Sequence, residues 1–145
     1  MFDIGARAIE AAFAQGLIPV VASVAASEDG ATLNINADLL ASAFAVRFAA
    51  SSLFFLTDVD GVYEQFEDKT SMIEELSLTR AEEMLQCGAV SEGMIPKIDA
   101  CIRAVRGGVE HTRVINGTKR RVLISEVTSN RLSSTIFAWH SDRRP

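Results

Sequence analysis

Three short stretches carry the side chains that could do chemistry: "NINAD" at 34–38, "TDVDG" at 57–61 and the lysine of "GMIPK" at 93–97. In the first, two asparagines and an aspartate stand directly ahead of the apolar run Leu39, Leu40, Ala43 and Phe44. As local structure this is a turn and a helix cap, with Asn36 or Asp38 accepting backbone N–H bonds. As chemistry, the same helix N-terminus attracts an anion, Asn34 and Asn36 offer amides to a polar substrate, and Asp38 orients a cation. Asp58, Asp60 and Gly61 suit a tight turn, and at the end of a strand their carboxylates would also accept hydrogen bonds from a ribose. A calcium loop is excluded, because the spacing is not that of an EF-hand and no glutamate stands twelve residues from Asp58. Lys97 falls in the first turn of a helix, where a cation opposes the helix dipole. Its plainest reading is a surface lysine; the alternative is a cation set to meet a phosphoryl oxygen beside the helix's own N–H groups.

Other chemistries leave no trace. Neither GxxxxGK[ST] nor GxGxxG occurs, so a nucleotide would have to bind in another way. A GxSxG nucleophile elbow is also missing. Cys87 and Cys101 match no metal spacing and are expected as buried, reduced thiols, while His111 and His140 stand alone. No metal site of the protein's own is expected.

The chain has 145 residues, a hydrophobic share of 48% and a net charge of −5. That is one ordinary domain with a single core. No apolar run reaches the roughly 18 residues of a membrane span. "MFDIGARAIEAAF" lacks the basic region and cleavage site of a signal peptide, which reads as cytoplasmic. The charge is uneven: residues 1–96 hold 4 Lys/Arg against 15 Asp/Glu, and residues 97–145 hold 10 against 4. A solvated surface of mixed sign or an anion-facing basic side would both fit. "KRR" at 119–121 is too short, and too poor in aromatic neighbours, to suggest nucleic acid.

The elements that must position these residues follow from periodicity. Ile4, Ala8, Ile9, Ala12 and Phe13 predict a helix over 2–15 that stops at Gly16. "LIPVVASV" from Leu17 reads as a buried strand with Pro19 near its start. "EDG" at 28–30 is a turn, and 32–35 a short strand returning toward the sheet. A helix is expected over 37–50, a buried strand at "SLFFLT" 52–57, and a polar loop over 58–71. Thr79 and Glu82 suggest a capping box for a helix ending at Gly88. Pro96 opens a helix whose buried stripe is Ile95, Ile98, Ile102 and Val105, ended by Gly107 and Gly108. Strands are expected at 112–115, 122–125 and 135–137, ahead of a frayed "SDRRP" tail. Helices alternating with apolar strands imply an α/β sandwich with a mainly parallel sheet, and ligands gather at the carboxyl ends of such strands. "NINAD", "TDVDG" and the stretch before Pro96 all fall there.

In this order, "NINAD", "LTDVDGVY", "GAVSEGMIPK" and "RGGVEHTRVINGTKRRVLISE" resemble the C-terminal, nucleotide-binding half of acetylglutamate kinases, in the amino-acid kinase family. The likeness runs from about Gln15 to Phe137. It implies a three-layer α/β sandwich, the carbamate kinase-like C-terminal lobe, over 1–145. It also implies transfer of the γ-phosphoryl of ATP to the side-chain carboxylate of N-acetylglutamate, a step of arginine biosynthesis, with Mg2+ arriving on the nucleotide. By motif position, Lys97 would stabilise the transferring phosphoryl and Asp38 would hold the catalytic lysines in place. Asn34 and Asn36 would shape the site of the acylated amino acid. Thr57, Asp58, Val59, Asp60, Gly61, Val62 and Tyr63, with Ala89, Val90, Ser91 and Met94, would line the nucleotide site. The family's N-terminal half, with its glycine-rich phosphate loops, a second lysine and a substrate arginine, has no counterpart in this sequence. The pattern departs from the family at "RLSST" 131–135, where a glycine-containing stretch is usual, and at Glu92, where a small residue is common. Two readings stay open: the nucleotide-binding part of a working kinase, completed by an N-terminal half or a homo-oligomer, and a half-kinase that binds a nucleotide or a protein without transfer. A related substrate such as an acylated aminoadipate also stays open, because the residues that measure chain length fall largely in the family's N-terminal half.

Overall fold

The computed structural model describes residues 5–128 and 134–138. Its centre is a four-stranded sheet. β3 (Ser52–Thr57) pairs in parallel with β5 (His111–Asn116), in the register Ser52 to His111 through Thr57 to Asn116. The other side of β5 takes β6 (Thr135–Ala138) in antiparallel, and β6 takes β4 (Glu75–Ser77) in parallel, giving the order β3-β5-β6-β4. Two of the three pairings are therefore parallel, and the α/β sandwich with a mainly parallel sheet stands as the fold.

Helices cover both faces of the sheet. α2 (Ala37–Arg47), α3 (Leu78–Gln86) and α4 (Ile95–Arg106) lie on one, with α4 packed against α2, α3, β5 and β6. Phe55, Leu76, Val114 and Phe137 of the sheet close a core with Ala81 and Met84 of α3 and Ile98, Cys101, Ile102 and Val105 of α4. Side chains alternate along a strand, so Arg113 points to the face opposite Val114. There it meets α5 (Val122–Thr128): Arg113 Nη1 lies 2.9 Å from Glu126 Oε2 and 3.2 Å from the Glu126 carbonyl. α1 (Ala6–Ala14) stops at Gly16, whose φ of +68° is a left-handed turn, and leans on the end of α2 through an edge-to-face Phe13–Phe48 contact.

Several expectations are overturned. Residues 17–22 form no strand, and Ile18 and Val20 are 90% and 96% exposed. No neighbouring strand among the described residues takes up their backbone groups, and apolar character alone cannot supply those partners. Only β1 (Val24–Ala26) is extended in a ladder. It pairs with β2 (Thr32–Asn34) as a separate hairpin rather than leading back to the main sheet. Residues 122–125 are helical, not a strand. Both edges of β5 are occupied, and the helix turns Glu126 inward to Arg113. The cap of α3 is Ser77, whose Oγ accepts from the Arg80 N–H at 3.1 Å, so the helix starts ahead of Thr79. Cys87 is exposed, because it is the C-cap of that helix and faces away from the core, and Ile95 is 42% exposed at the first turn of α4. β4 was not foreseen; its three residues are too few for a readable alternation. Ile4 and the "SDRRP" tail lie outside the described residues.

The Arg113–Glu126 pair sets a stability prediction. The Glu126 side chain is 1% exposed and that of Arg113 16%, so removing one partner strands a buried charge. Glu126→Ala should lower the unfolding free energy by about 3–5 kcal/mol in urea titration. A loss below about 1 kcal/mol would mean that the pair is solvated in solution.

Candidate functional site

Connectivity gathers the candidate residues at one end of the sheet. α2 ends where the chain turns into β3, and α4 ends where Gly107 and Gly108 turn it into β5. Both helices therefore run antiparallel to these strands and present their N-termini beside the strands' carboxyl ends. "NINAD" opens α2, "GMIPK" opens α4, and "TDVDG" leaves β3.

Asn36 is the N-cap of α2, its Oδ1 accepting the Leu39 N–H at 3.0 Å. Of the two caps that the sequence allows, the structure takes Asn36, which leaves Asp38 free to act elsewhere. Asp38 reaches across to α4, where Lys97 Nζ lies 3.0 Å from Oδ2 and 3.3 Å from Oδ1. The two side chains are 22% (Lys97) and 17% (Asp38) exposed. Asn34, the last residue of β2, is exposed two positions before the cap. Behind the pair sits Cys101, fully buried. Its thiol is pushed well above the ordinary value, first by burial and then by the Asp38 carboxylate, with Lys97 pulling the other way.

The second group surrounds the loop after β3. Thr57 Oγ1 donates to Asp58 at 3.2 Å, and Val59 packs against the core. Asp60 Oδ1 accepts from Asn116 Nδ2 and from Lys119 Nζ, each at 2.7 Å. These two bonds, Lys119 before Asn116, hold the Asp60 carboxyl below its ordinary value against the opposing effect of burial, with a further pull from Lys69. Gly61, Val62 and Tyr63 lead into a hairpin, with a bridge from Tyr63 to Met72 and the Ile73 N–H donating to the Val62 carbonyl at 2.8 Å. Lys69 lies over the Tyr63 and Phe66 rings, 4.8 and 4.0 Å from their centroids. Facing this hairpin are Ala89, Val90, Ser91 and Met94, and the crevice between them holds about 10 Å3 of space. That is far smaller than a nucleobase, so a ligand there would sit at the mouth or part the loops. The larger cavity, about 580 Å3, lies at the opposite end of the sheet beside Arg106, His111 and Ala138, away from every candidate residue.

The structure thus brings Asp38 and Lys97 into contact and sets 61–63 against 89–94. Sequence reading missed Asn116 and Lys119, which hold Asp60 from the end of the neighbouring strand. "NGTK" after an apolar run signals only a turn, and nothing local announces a partner 56 residues away. Among the described residues no group of three or more His, Cys, Asp or Glu could hold a metal ion, and no helix is long and apolar enough to cross a membrane.

Known proteins resemble this chain in sequence and in fold. The model of the amino acid kinase family matches residues 2–116. An acetylglutamate kinase of Moorella thermoacetica is 43% identical over 119 residues, covering 82% of this chain and 40% of that protein. The chain therefore spans about two-fifths of that relative's length. Among solved structures, smu.665 of Streptococcus mutans UA159 superposes with a TM-score of 0.78 at 31% identity, over 94% of this chain and 49% of that one. An N-acetylglutamate synthase of Neisseria gonorrhoeae, complexed with coenzyme A and N-acetyl-glutamate, reaches a TM-score of 0.82 at 23% identity over 93% of this chain and 31% of that one, a likeness of fold.

The placement of the two cysteines gives a direct check of the site's packing. Thiol titration of the native chain with a disulfide reagent at mildly alkaline pH should find Cys87 alone, with Cys101 reacting only after denaturant is added. Two fast thiols in the native protein would show that the space behind Lys97 and Asp38 is open.

Proposed function

The chain belongs to the amino acid kinase family, and from that premise we propose that it forms the nucleotide-binding part of an ATP-dependent kinase that phosphorylates the side-chain carboxylate of N-acetyl-L-glutamate, in arginine biosynthesis. The observation that carries the reading is the Lys97–Asp38 pair at the meeting point of two helix N-termini. The substrate class rests on the likeness to acetylglutamate kinases, at 43% identity for the Moorella protein.

The chemistry asks little of the protein in covalent terms. A substrate carboxylate oxygen attacks the γ-phosphorus of ATP, the bond from phosphorus to the β–γ bridging oxygen breaks, and an acyl phosphate and ADP result. The nucleophile carries no proton, so no general base is needed. What remains is positioning and neutralisation of charge on the transferring group. Lys97 has three ammonium donors; Asp38 engages one side of the group and the others can meet phosphoryl oxygens. The N-termini of α2 and α4 add donors and a positive end of the dipole. Asn34 and Asn36 border the place of the acylated amino acid. Asp58 to Tyr63 and Ala89 to Met94 flank the nucleotide, which brings Mg2+ with it as part of the substrate.

A partner surface accompanies this reading. Leu17, Ile18, Val20 and Val21 are at least half exposed, one edge of β3 carries no strand among the described residues, and a cavity of about 340 Å3 lies between Pro19, Val21 and the Leu40, Ala41 and Phe44 face of α2. We assign this apolar face to the remaining part of the kinase fold, which supplies the phosphate loops and the further cation. The same face would also fit the second reading, a half-kinase that binds a nucleotide or a protein partner without transfer, the protein docking here.

Titration calorimetry with Mg·ADP, and acyl phosphate trapping with hydroxylamine in the presence of acetylglutamate, separate the two. Lys97→Met should lower turnover by about 10²–10³-fold while weakening Mg·ADP binding far less, because its contact strengthens as charge develops in transfer. Equal turnover in the variant would remove Lys97 from the mechanism. Both assays are run with the remaining part of the kinase fold supplied; binding without any turnover in its presence would favour the module.

A further inference from the structure

Thr135 is the first residue of β6 and has no exposed surface. Its hydroxyl accepts the Val62 N–H at 2.8 Å and donates to the Ile73 carbonyl at 2.6 Å. Val62 and Ile73 are already joined on their other side, the Ile73 N–H donating to the Val62 carbonyl at 2.8 Å. In an ordinary antiparallel pair the two residues would exchange both bonds directly. Here one of the two runs through a threonine 73 residues away from Val62, so the hydroxyl is built into the base of the 62–73 hairpin like a fixed water. A hydroxyl has one proton, and with that proton given to Ile73 only its lone pairs face Val62.

The neighbouring residues fix this contact from both sides. Gly61 lies flat against Thr135: a Cβ built there would stand 2.5 Å from Thr135 Oγ1 and 3.1 Å from its backbone nitrogen. One residue earlier, Ser134 Oγ donates to Glu126 Oε2 at 2.8 Å, the same oxygen that pairs with Arg113. The dipeptide Ser134–Thr135 therefore clips α5 to one side of the sheet and the 61–73 hairpin to the other. Val62, Tyr63 and Phe66 of that hairpin form one wall of the crevice opposite Ala89, Val90, Ser91 and Met94.

We infer that Thr135 is a positioning residue for the nucleotide-binding loop, setting through its hydroxyl the distance between the 61–66 wall and the 89–94 wall. This rests on the nucleotide-site reading given above. Without the hydroxyl the hairpin base can close only by Val62 and Ile73 moving together, which draws Gly61 to Tyr63 away from the crevice.

Three chains are compared, wild type, Thr135→Val and Thr135→Ser, by Mg·ADP calorimetry, amide hydrogen exchange at Val62 and thermal unfolding. Valine has nearly the same shape but no hydroxyl, so Mg·ADP affinity should fall about tenfold and Val62 exchange should accelerate. Serine keeps the hydroxyl and should restore both to within about twofold of wild type, even where its lost methyl lowers the melting temperature. If the valine chain does not fold, Thr135→Ala removes the same hydroxyl without adding a methyl and takes its place. Wild-type affinity in a folded variant whose Val62 exchange has accelerated would overturn the positioning role. So would a serine variant that binds as poorly as valine. If the wild-type chain takes up no Mg·ADP, the nucleotide reading falls and the positioning role with it, while Val62 exchange still reports separately whether the tether exists.

Discussion

Everything at the candidate site depends on how closely α2 and α4 lie together. Ala100 and Ala104 on α4 have no exposed surface, Ala45 of α2 is buried near Ala104, and Gly107 lies against Val46 where any larger residue would collide. Small side chains along this seam let two helices pack side by side, so their first turns end level with each other. Two positive dipole ends are then neighbours, an unfavourable arrangement on its own. Asp38 in the first turn of α2 offsets it, and Lys97 in the first turn of α4 adds to it. The local balance stays positive, which is the electrostatic condition for receiving a phosphate.

The Lys97–Asp38 contact and the Asp60–Lys119–Asn116 contact do different things although both are ion pairs. The first is mostly shielded from water and ties two helices; it fixes where an ammonium points. The second is more open, with Lys119 49% and Asp60 37% exposed, and ties a loop to the end of the adjacent strand. An exposed pair contributes little to stability, so its value is geometric: Asn116 is in register with Thr57, and its amide reaches Asp60 to hold the start of the loop.

Much of this was legible from the chain alone, where the signal was local. β3 falls on the six residues of "SLFFLT", and α4 opens at Pro96 and closes at its glycines as the capping rules require. The three stretches singled out for their chemistry lie at one end of the sheet, as a parallel α/β order implies. What could not be read depends on neighbours. "LIPVVASV" and "VLIS" are both short, apolar and β-branched; the first has no partner strand until its last residue, Val24, and the second is turned into a helix because no edge of β5 is free. Asn116, Lys119 and Thr135 act over 56 to 73 residues of sequence, where no spacing rule applies.

The sheet order β3-β5-β6-β4 also dictates a sequence of events during synthesis. β4 is made midway along the chain, yet its ladder partner among the described residues is β6, some sixty residues later. The stretch from Gly61 to Ser77 can therefore be fully exposed by the ribosome, with α3 and α4 already there to take Val62 and Leu76, while β4 still has no strand to pair with. Docking of four residues, Thr135–Ala138, between β5 and β4 closes the sheet and anchors the hairpin in one step. Closure of the sheet thus waits for the last described strand, and a pause in translation before it would leave β3 paired with β5 while the facing edges of β5 and β4 stay open.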